Sequence, residues 1–166
     1  MKQLSLEGLN FSTTEVNIKD KVMTITLDRP EKKNAMNNVM MNEINYLLAY
    51  AKQEKDIRVV VFAANGDVFC AGADLSRTES KSNVPRLENA DDISLSLRHL
   101  YKPVICKIQG PVLAGALLIV SNATHAIAVD EATFSAPEIH RGLWPFMVMA
   151  GLFRVMPKRA GLDFIM

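Results

Sequence analysis

Apolar residues fall into short blocks whose spacing switches between the two periods of regular structure. Over residues 15–27, Val16, Ile18, Val22, Ile25 and Leu27 sit in two β-rich runs on either side of Lys19-Asp-Lys21, which predicts a hairpin with a short turn. Residues 28–37 are polar, carry Pro30 and predict a loop. Residues 38–55 then place Met40, Ile44, Leu47, Leu48 and Ala51 at helical spacing, an amphipathic helix with its stripe in the core. The three consecutive valines within 58–63 predict a strand buried on both faces, as in parallel sheets covered by helices.

Beyond that strand, residues 76–89 are rich in Ser, Lys, Glu and Asn, carry Pro85 and read as a mobile loop. Residues 91–100 predict a short helix that starts at two aspartates, favourable to the helix dipole, with Ile93, Leu97 and Leu100 inward. The run 103–120 reads as strand, tight turn and helix: Gly110 and Pro111 stop the strand, and Ala114, Gly115 and Ala116 keep the helix start narrow. Two further strands are predicted at 125–129 and 132–135 around Asp130-Glu131, the second ended by Pro137-Glu138. Residues 146–156 are apolar through Met147, Met149, Leu152, Phe153 and Met156, and 159–166 begins a helix inside which the chain ends. Residues 1–12 show no period and read as a loosely held arm. The strand–helix–strand order predicts an α/β layer fold.

Composition bounds the rest. With 166 residues, 49% hydrophobic and 22% charged, residues 1–166 fit one domain with one substantial core. A formal net charge of +1 offers no general attraction to nucleic acid or to an anionic membrane, and no apolar run reaches the roughly 20 residues of a bilayer span. Cys70 and Cys106 lie in apolar, strand-like contexts and the first residues lack the pattern of a signal peptide, so free thiols in a cytoplasmic protein are expected. No Cys/His spacing suits zinc and no carboxylate run resembles a calcium loop, so no metal is expected. His99, His125 and His140 neighbour no nucleophile motif and read as solvated.

The turn at 110–116 invites a phosphate reading, since Gly110 and Gly115 have the outer spacing of a P-loop. That reading fails because Ala116 and Leu117 stand where the Lys and Ser/Thr would be required. An earlier stretch repeats the arrangement instead: residues 58–75 are again a strand, a turn and an Ala-Gly-Ala triplet, so backbone donors from two loops could converge.

With Phe69-Cys-Ala-Gly-Ala-Asp-Leu75, Gln109-Gly-Pro-Val-Leu-Ala-Gly115 and Phe134-Ser-Ala-Pro-Glu-Ile139 in this order, the chain resembles the enoyl-CoA hydratase/isomerase family, the crotonase superfamily. Leu27-Asp-Arg-Pro-Glu-Lys-Lys-Asn-Ala-Met36 is similar to the family's first coenzyme A loop. The resemblance runs from about Val16 to the end and implies the crotonase (ClpP/crotonase) spiral of ββα repeats with the C-terminal helical part missing. It also implies an acyl-CoA thioester substrate whose coenzyme A is part of the substrate rather than a cofactor, and a homo-oligomer, trimer or hexamer, for a full-length chain.

The same resemblance assigns Ala73 and Gly115 as backbone donors of an oxyanion hole and Glu138 as the acid/base. It assigns Lys33, Ala35, Ala71, Gly72, Asp74, Leu75 and Leu118 to substrate and coenzyme A binding, and gives the loop at 76–89 a place as a lid. Two-glutamate hydratases carry their first glutamate three residues after the oxyanion-hole glycine, where this chain has Leu118. The expected activity is therefore that of a one-glutamate member: an isomerase that shifts a double bond, a branched-chain hydratase or a related lyase. A non-catalytic crotonase-like fragment is the alternative from another class. Cys70, beside the hole, has no His placed to activate it and reads as a small buried residue rather than a nucleophile.

Overall fold

The alternating residues near the start form a hairpin whose turn decides its geometry. In the computed structural model, which describes residues 3–76, 82–88 and 92–166, β1 (Thr14–Lys19) and β2 (Val22–Leu27) pair antiparallel through a two-residue turn. Asp20 and Lys21 both take positive φ, 52° and 66°. That is the left-handed pair required to match the twist of the flanking strands. On β2 the residues facing the core are Met23, Ile25 and Leu27, and Val22 is partly buried.

Helix α1 (Asn38–Gln53) follows the polar loop because Asn37, extended at the N-cap, accepts the Met40 N–H at 2.8 Å. Its inward stripe is the expected one, with Met40, Ile44, Leu47 and Ala51 fully buried, each contributing about 1.5–3 kcal/mol relative to exposure for the larger side chains. At the far end the Lys102 ammonium donates to the Ala51 and Glu54 carbonyls, satisfying groups that a helix C-terminus leaves open.

The chain then crosses to β3 (Val59–Ala64), parallel to β2, and through α2 (Ile93–Arg98), capped by Asp92, to β4 (Val104–Ile108), parallel to β3 with Val60 opposite Val104. After Gly110-Pro111 a two-residue strand, β5 (Val112–Leu113), precedes the expected helix, which opens as a 3-10 turn at Ala114–Ala116 and continues as α3 (Leu117–Asn122). Strand β6 (His125–Ala128) pairs parallel with β4, and β7 (Phe134–Ser135) pairs parallel with β5. The main sheet has the order β1-β2-β3-β4-β6, and β5-β7 form a small second ladder. The spiral implied by the resemblance is the fold observed.

Two expectations change, and the C-terminal helices form as read. Pro137-Glu138 does not end a strand but opens a 3-10 turn, Pro137–Arg141, because proline at its start has no N–H to lose there. The apolar run from 146 forms α4 (Phe146–Leu152), and α5 (Lys158–Ile165) follows Pro157. The arm is not loose: Leu4 N–H donates to Gln53, Tyr46 Oη donates to the Ser5 carbonyl, and Leu6 and Phe11 pack on the core. The same arm holds the start of the described segment 82–88, with Asn83 Oδ1 accepting from Asn10 N–H and Asn83 Nδ2 donating to the Gly8 carbonyl. The remainder of the expected lid, residues 77–81 and 89, lies outside the described residues.

One buried carboxylate fastens this arm. Glu43 on α1 is completely inaccessible, and its oxygens accept from the Ser12 and Thr13 N–H groups and the Ser12, Thr13 and Thr14 hydroxyls. These charge-assisted bonds replace the missing cation. Replacing Glu43 by Ala leaves several buried donors without an acceptor, at about 1–3 kcal/mol for each group that water cannot reach. Glu43→Ala is expected to lower the urea midpoint by the equivalent of roughly 3 kcal/mol or more in total; a variant melting with the parent would show the latch to be dispensable.

Candidate functional site

Parallel pairing gathers four separate stretches of chain at one end of the small ladder. Met36 bridges Ala73, Cys70 bridges Val112, and Val112 pairs with Phe134, each in parallel register. Ala73 lies three residues beyond Cys70, Gly115 three beyond Val112 and Glu138 four beyond Phe134. Chains that run side by side in one direction leave the ladder at the same end. Ala73, Gly115 and Glu138 thus each follow a paired strand by three or four residues, and the loops of the first two lie against one another.

The two loops carrying Ala73 and Gly115 touch backbone to backbone. Gly72 has φ 86°, and a Cβ there would lie 2.8 Å from Ala114 Cβ, 2.9 Å from the Leu113 oxygen and 3.0 Å from Gly115 N. No side chain fits that space, and the left-handed φ disfavours any residue but glycine. A Cβ on Gly115 would stand 3.7 Å from Ala73 N and 3.9 Å from Met36 Cε. The Ala73 N–H donates to no acceptor among the described residues. Gly115 lies in the first turn of its helical segment, where backbone N–H groups have no partner within the helix. A second contact of the same kind lies behind: a Cβ on Gly110 would come within 2.0 Å of the Asp67 oxygen.

A buried polar latch sets the height of the 69–76 loop. The Asn34 side chain accepts from the Arg29 N–H and donates to the Asn65 and Val68 carbonyls, using its donors and acceptor in a fully buried position. Arg29 turns its guanidinium to the Ala35 carbonyl and to the Asp74 carboxylate, 3.0 Å away, with both side chains nearly inaccessible. Backbone bonds complete the junction: Ala71 N–H to Lys33 O at 3.0 Å, Met36 N–H to Gly72 O at 2.7 Å and Asp74 N–H to Met36 O at 2.9 Å. Hydrogen bonds from Ser76, then the Arg29 guanidinium, hold the Asp74 carboxyl down to about 2.

Most of the residues expected to bind substrate thus meet at one junction. Lys33, Ala35, Ala71, Gly72 and Asp74 lie within it, and Leu75, 77% exposed, stands at its rim. The Asp74 side chain is engaged by Arg29 and Ser76, which makes it a fastener of the loop in this structure. Leu118, half-buried, faces α4, its Cδ2 3.7 Å from where a Gly151 Cβ would be. Glu138 sits in the first turn of its 3-10 segment with Oε2 buried and without a hydrogen-bond partner among the described residues. An ionisable oxygen left open in this way suits a reacting group better than a structural one. Burial pushes the Cys70 thiol up to about 12, and its Sγ lies 3.0 Å from the Asn34 carbonyl oxygen, so no thiolate nucleophile forms there near neutral pH. The three histidines stay apart: His99 caps α2, His125 lies on β6 and His140 in the 3-10 turn after β7. Among the described residues no group of three or more metal-ligating side chains comes together.

Sequence reasoning gave no role to Arg29, Asn34 or Met36, and named Ala114 only as one of the small residues at the helix start. Arg29, Asn34 and Met36 lie inside the quoted loop motif, but nothing in a linear reading says that an Asn will be fully buried or that an Arg will reach an Asp forty-five residues on. Ala114 has φ 52°, a left-handed conformation that its residue type gives no reason to expect.

Comparison with known proteins fits this geometry. The sequence pattern of the family described as enoyl-CoA hydratase/isomerase matches residues 17–166. The chain belongs to the enoyl-CoA hydratase/isomerase family. It is 33% identical over 153 residues to the "Probable enoyl-CoA hydratase EchA12" of Mycobacterium tuberculosis, covering 84% of this chain and 52% of that protein. It is 25% identical over 150 residues to the human "Enoyl-CoA hydratase domain-containing protein 3, mitochondrial", covering 88% of this chain and 50% of that one. The solved structure of an enoyl-CoA hydratase/isomerase from Mycobacterium paratuberculosis superposes with a TM-score of 0.81 at 25% identity over 94% of this chain and 62% of the other. An enoyl-CoA hydratase from Mycobacterium smegmatis gives 0.80 at 26% identity over 93% and 62%. The chain spans about half the length of the curated relatives it matches.

The Asp74 carboxyl ties this site to pH. Because its pKa is lower in the fold than the ordinary 3.8, the folded state favours the ionised form. The stabilisation is complete above about pH 4 and is lost as pH falls through about 2. Asp74→Asn is expected to flatten the acid limb of stability between those values while leaving a neutral deficit from the lost Arg29 pair; an unchanged acid slope measured by urea unfolding at stepped pH would contradict this.

Proposed function

We propose that this enoyl-CoA hydratase/isomerase family chain carries the acyl-CoA-processing site of its family. The thioester carbonyl oxygen accepts from Ala73 N–H and Gly115 N–H while Glu138 moves the proton. The observation that supports this reading is the parallel register joining the strands that precede Ala73, Gly115 and Glu138, together with the open Glu138 oxygen. Removing a proton beside the carbonyl leaves its electron pair as an enolate, whose charge falls on the thioester oxygen. Two fixed dipoles stabilise that charge without reorganising, and one such donor is worth roughly 3–4 kcal/mol in measured cases.

Leu118 favours one reaction within the class. Hydration between paired carboxylates needs a second acid to hold and split water, and an apolar side chain facing α4 supplies none. A single carboxylate suffices to shift a double bond: Glu138 takes the proton from the carbon next to the carbonyl, the enolate delocalises over the former alkene, and the same carboxyl returns the proton at the distal carbon. The enoyl-CoA isomerase reading is therefore preferred to simple two-glutamate hydration, with a place in fatty-acid metabolism in the cytoplasm. Coenzyme A reaches the hole along the junction of Lys33, Ala35, Ala71, Gly72 and Leu75.

A non-catalytic reading rests on a different observation. Leu143, Trp144, Phe146 and Met147 are all exposed, with Phe146 at 69%, and β6 is an edge whose Ile127 is 66% exposed. Such a surface exceeds the scattered apolar residues of ordinary monomers and suits an oligomer or further covering chain.

Two measurements separate these readings. Glu138→Gln keeps the shape but cannot act as a base, and it should cut turnover of an enoyl-CoA by about 10²–10⁴-fold with coenzyme A binding nearly unchanged; equal turnover would remove Glu138 from the chemistry. Light scattering on the 166-residue chain is expected to show self-association through this apolar surface. A compact monomer with full turnover would overturn that expectation.

A further inference from the structure

Ala114 is a non-glycine residue in the left-handed region, φ 52°, placed immediately before Gly115. Its methyl stands against Gly72: a Cβ on Gly72 would be 2.8 Å from it. Gly72 in turn immediately precedes Ala73, so the methyl belongs to the residue before one proposed donor and stands against the residue before the other. A glycine at 114 would adopt the same backbone without strain, which makes an alanine there a conformational cost with no local return. Strain of this kind persists where the surrounding structure enforces it, and it concentrates at functional sites.

We propose that Ala114 is a positioning residue: its methyl acts as a spacer that fixes the separation and tilt of the Ala73 and Gly115 amides. The inference rests on the two-amide reading of the site. The left-handed backbone turns the peptide between Ala114 and Gly115 outward, and the methyl, seated on Gly72, prevents that peptide from rotating or settling toward the neighbouring loop. Met36 Cε closes the space on the Gly115 side, 3.9 Å from where a Cβ would be. The donors are thereby spaced by the Ala114 methyl and by the Met36 bridge to Ala73, while the Asn34 and Arg29–Asp74 hydrogen bonds hold the loop itself.

The test uses a saturated acyl-CoA labelled with ¹³C at the thioester carbonyl, which binds and cannot react. Isotope-edited infrared difference spectra of the 166-residue chain read the polarisation of that carbonyl, and calorimetry reads the affinity. In the parent chain the bound carbonyl band shifts to lower frequency. Ala114→Gly is expected to lose most of that shift with affinity retained and with thermal stability equal or higher, because glycine relieves the positive φ. Ala114→Ser, which keeps the Cβ against Gly72, restores the shift. A full downshift in Ala114→Gly, or a serine variant that behaves like the glycine one, overturns the spacer while leaving the hole intact. A parent chain that does not bind the thioester, or binds it with no downshift, overturns the two-amide reading and the spacer with it.

Discussion

The arrangement depends on two places where backbones approach closer than any side chain allows. At Gly110 the turn lies against the Asp67 carbonyl, and at Gly72 one loop lies on Leu113, Ala114 and Gly115 of the next. A Cβ at either would push the loops apart, and the pairing of Cys70 with Val112 could not form. That pairing keeps the 70–73 stretch in register with 112–115. The parallel register of Val112 with Phe134 then brings in the segment that holds Glu138. The geometry of this junction thus follows from steric permission at two glycines, with hydrogen bonds fixing what the glycines allow.

What holds the loops at the right height is buried polarity. Asn34 and the Arg29–Asp74 pair lie where an apolar residue would be expected, and each finds its partners. Buried groups of this kind add little net stability compared with a well-packed apolar core, yet removing one partner is costly because the other remains desolvated. The result is a loop with one allowed conformation. Glu43 does for the N-terminal arm what Arg29 does for the loop at 69–76, gathering five donors onto one carboxylate. Glu138 Oε2 is by contrast buried without a partner among the described residues, as are oxygens of Ser94, Gln109, Ser121 and Asn122, and of these five only Glu138 is ionisable.

Apolar surface divides unevenly over the molecule. The face between α1 and the sheet is closed, with Met40, Ile44, Leu47 and Phe62 fully buried. On the other side α3, α4, α5, β6 and Phe134 surround an apolar cavity of about 410 Å³. The whole of β6 is exposed although it belongs to the main sheet. Edge strands with an apolar face invite pairing, and this side of the fold is where the chain is least self-sufficient.

Local physics determined most of the elements. The alternation over 15–27, the stripe from Met40 to Ala51 and the valines of β3 have one plausible state each, because burying those faces is worth more than any competing local preference. The family and its fold were legible instead through resemblance, carried by three motifs in order. Three things were decided only in the tertiary structure. The chain at Pro137 could end a strand or open a turn, and pairing of β7 with β5 left Glu138 in the turn. The arm has no period of its own, and its order comes from the Glu43 carboxylate across the fold. Arg29, Asn34 and Ala114 carry no signal in their residue types, since each acts through a neighbour distant in sequence. A sequence specifies which faces must be buried; which polar groups then meet, and at which glycine two loops can touch, depends on contacts that exist only after the faces have been buried.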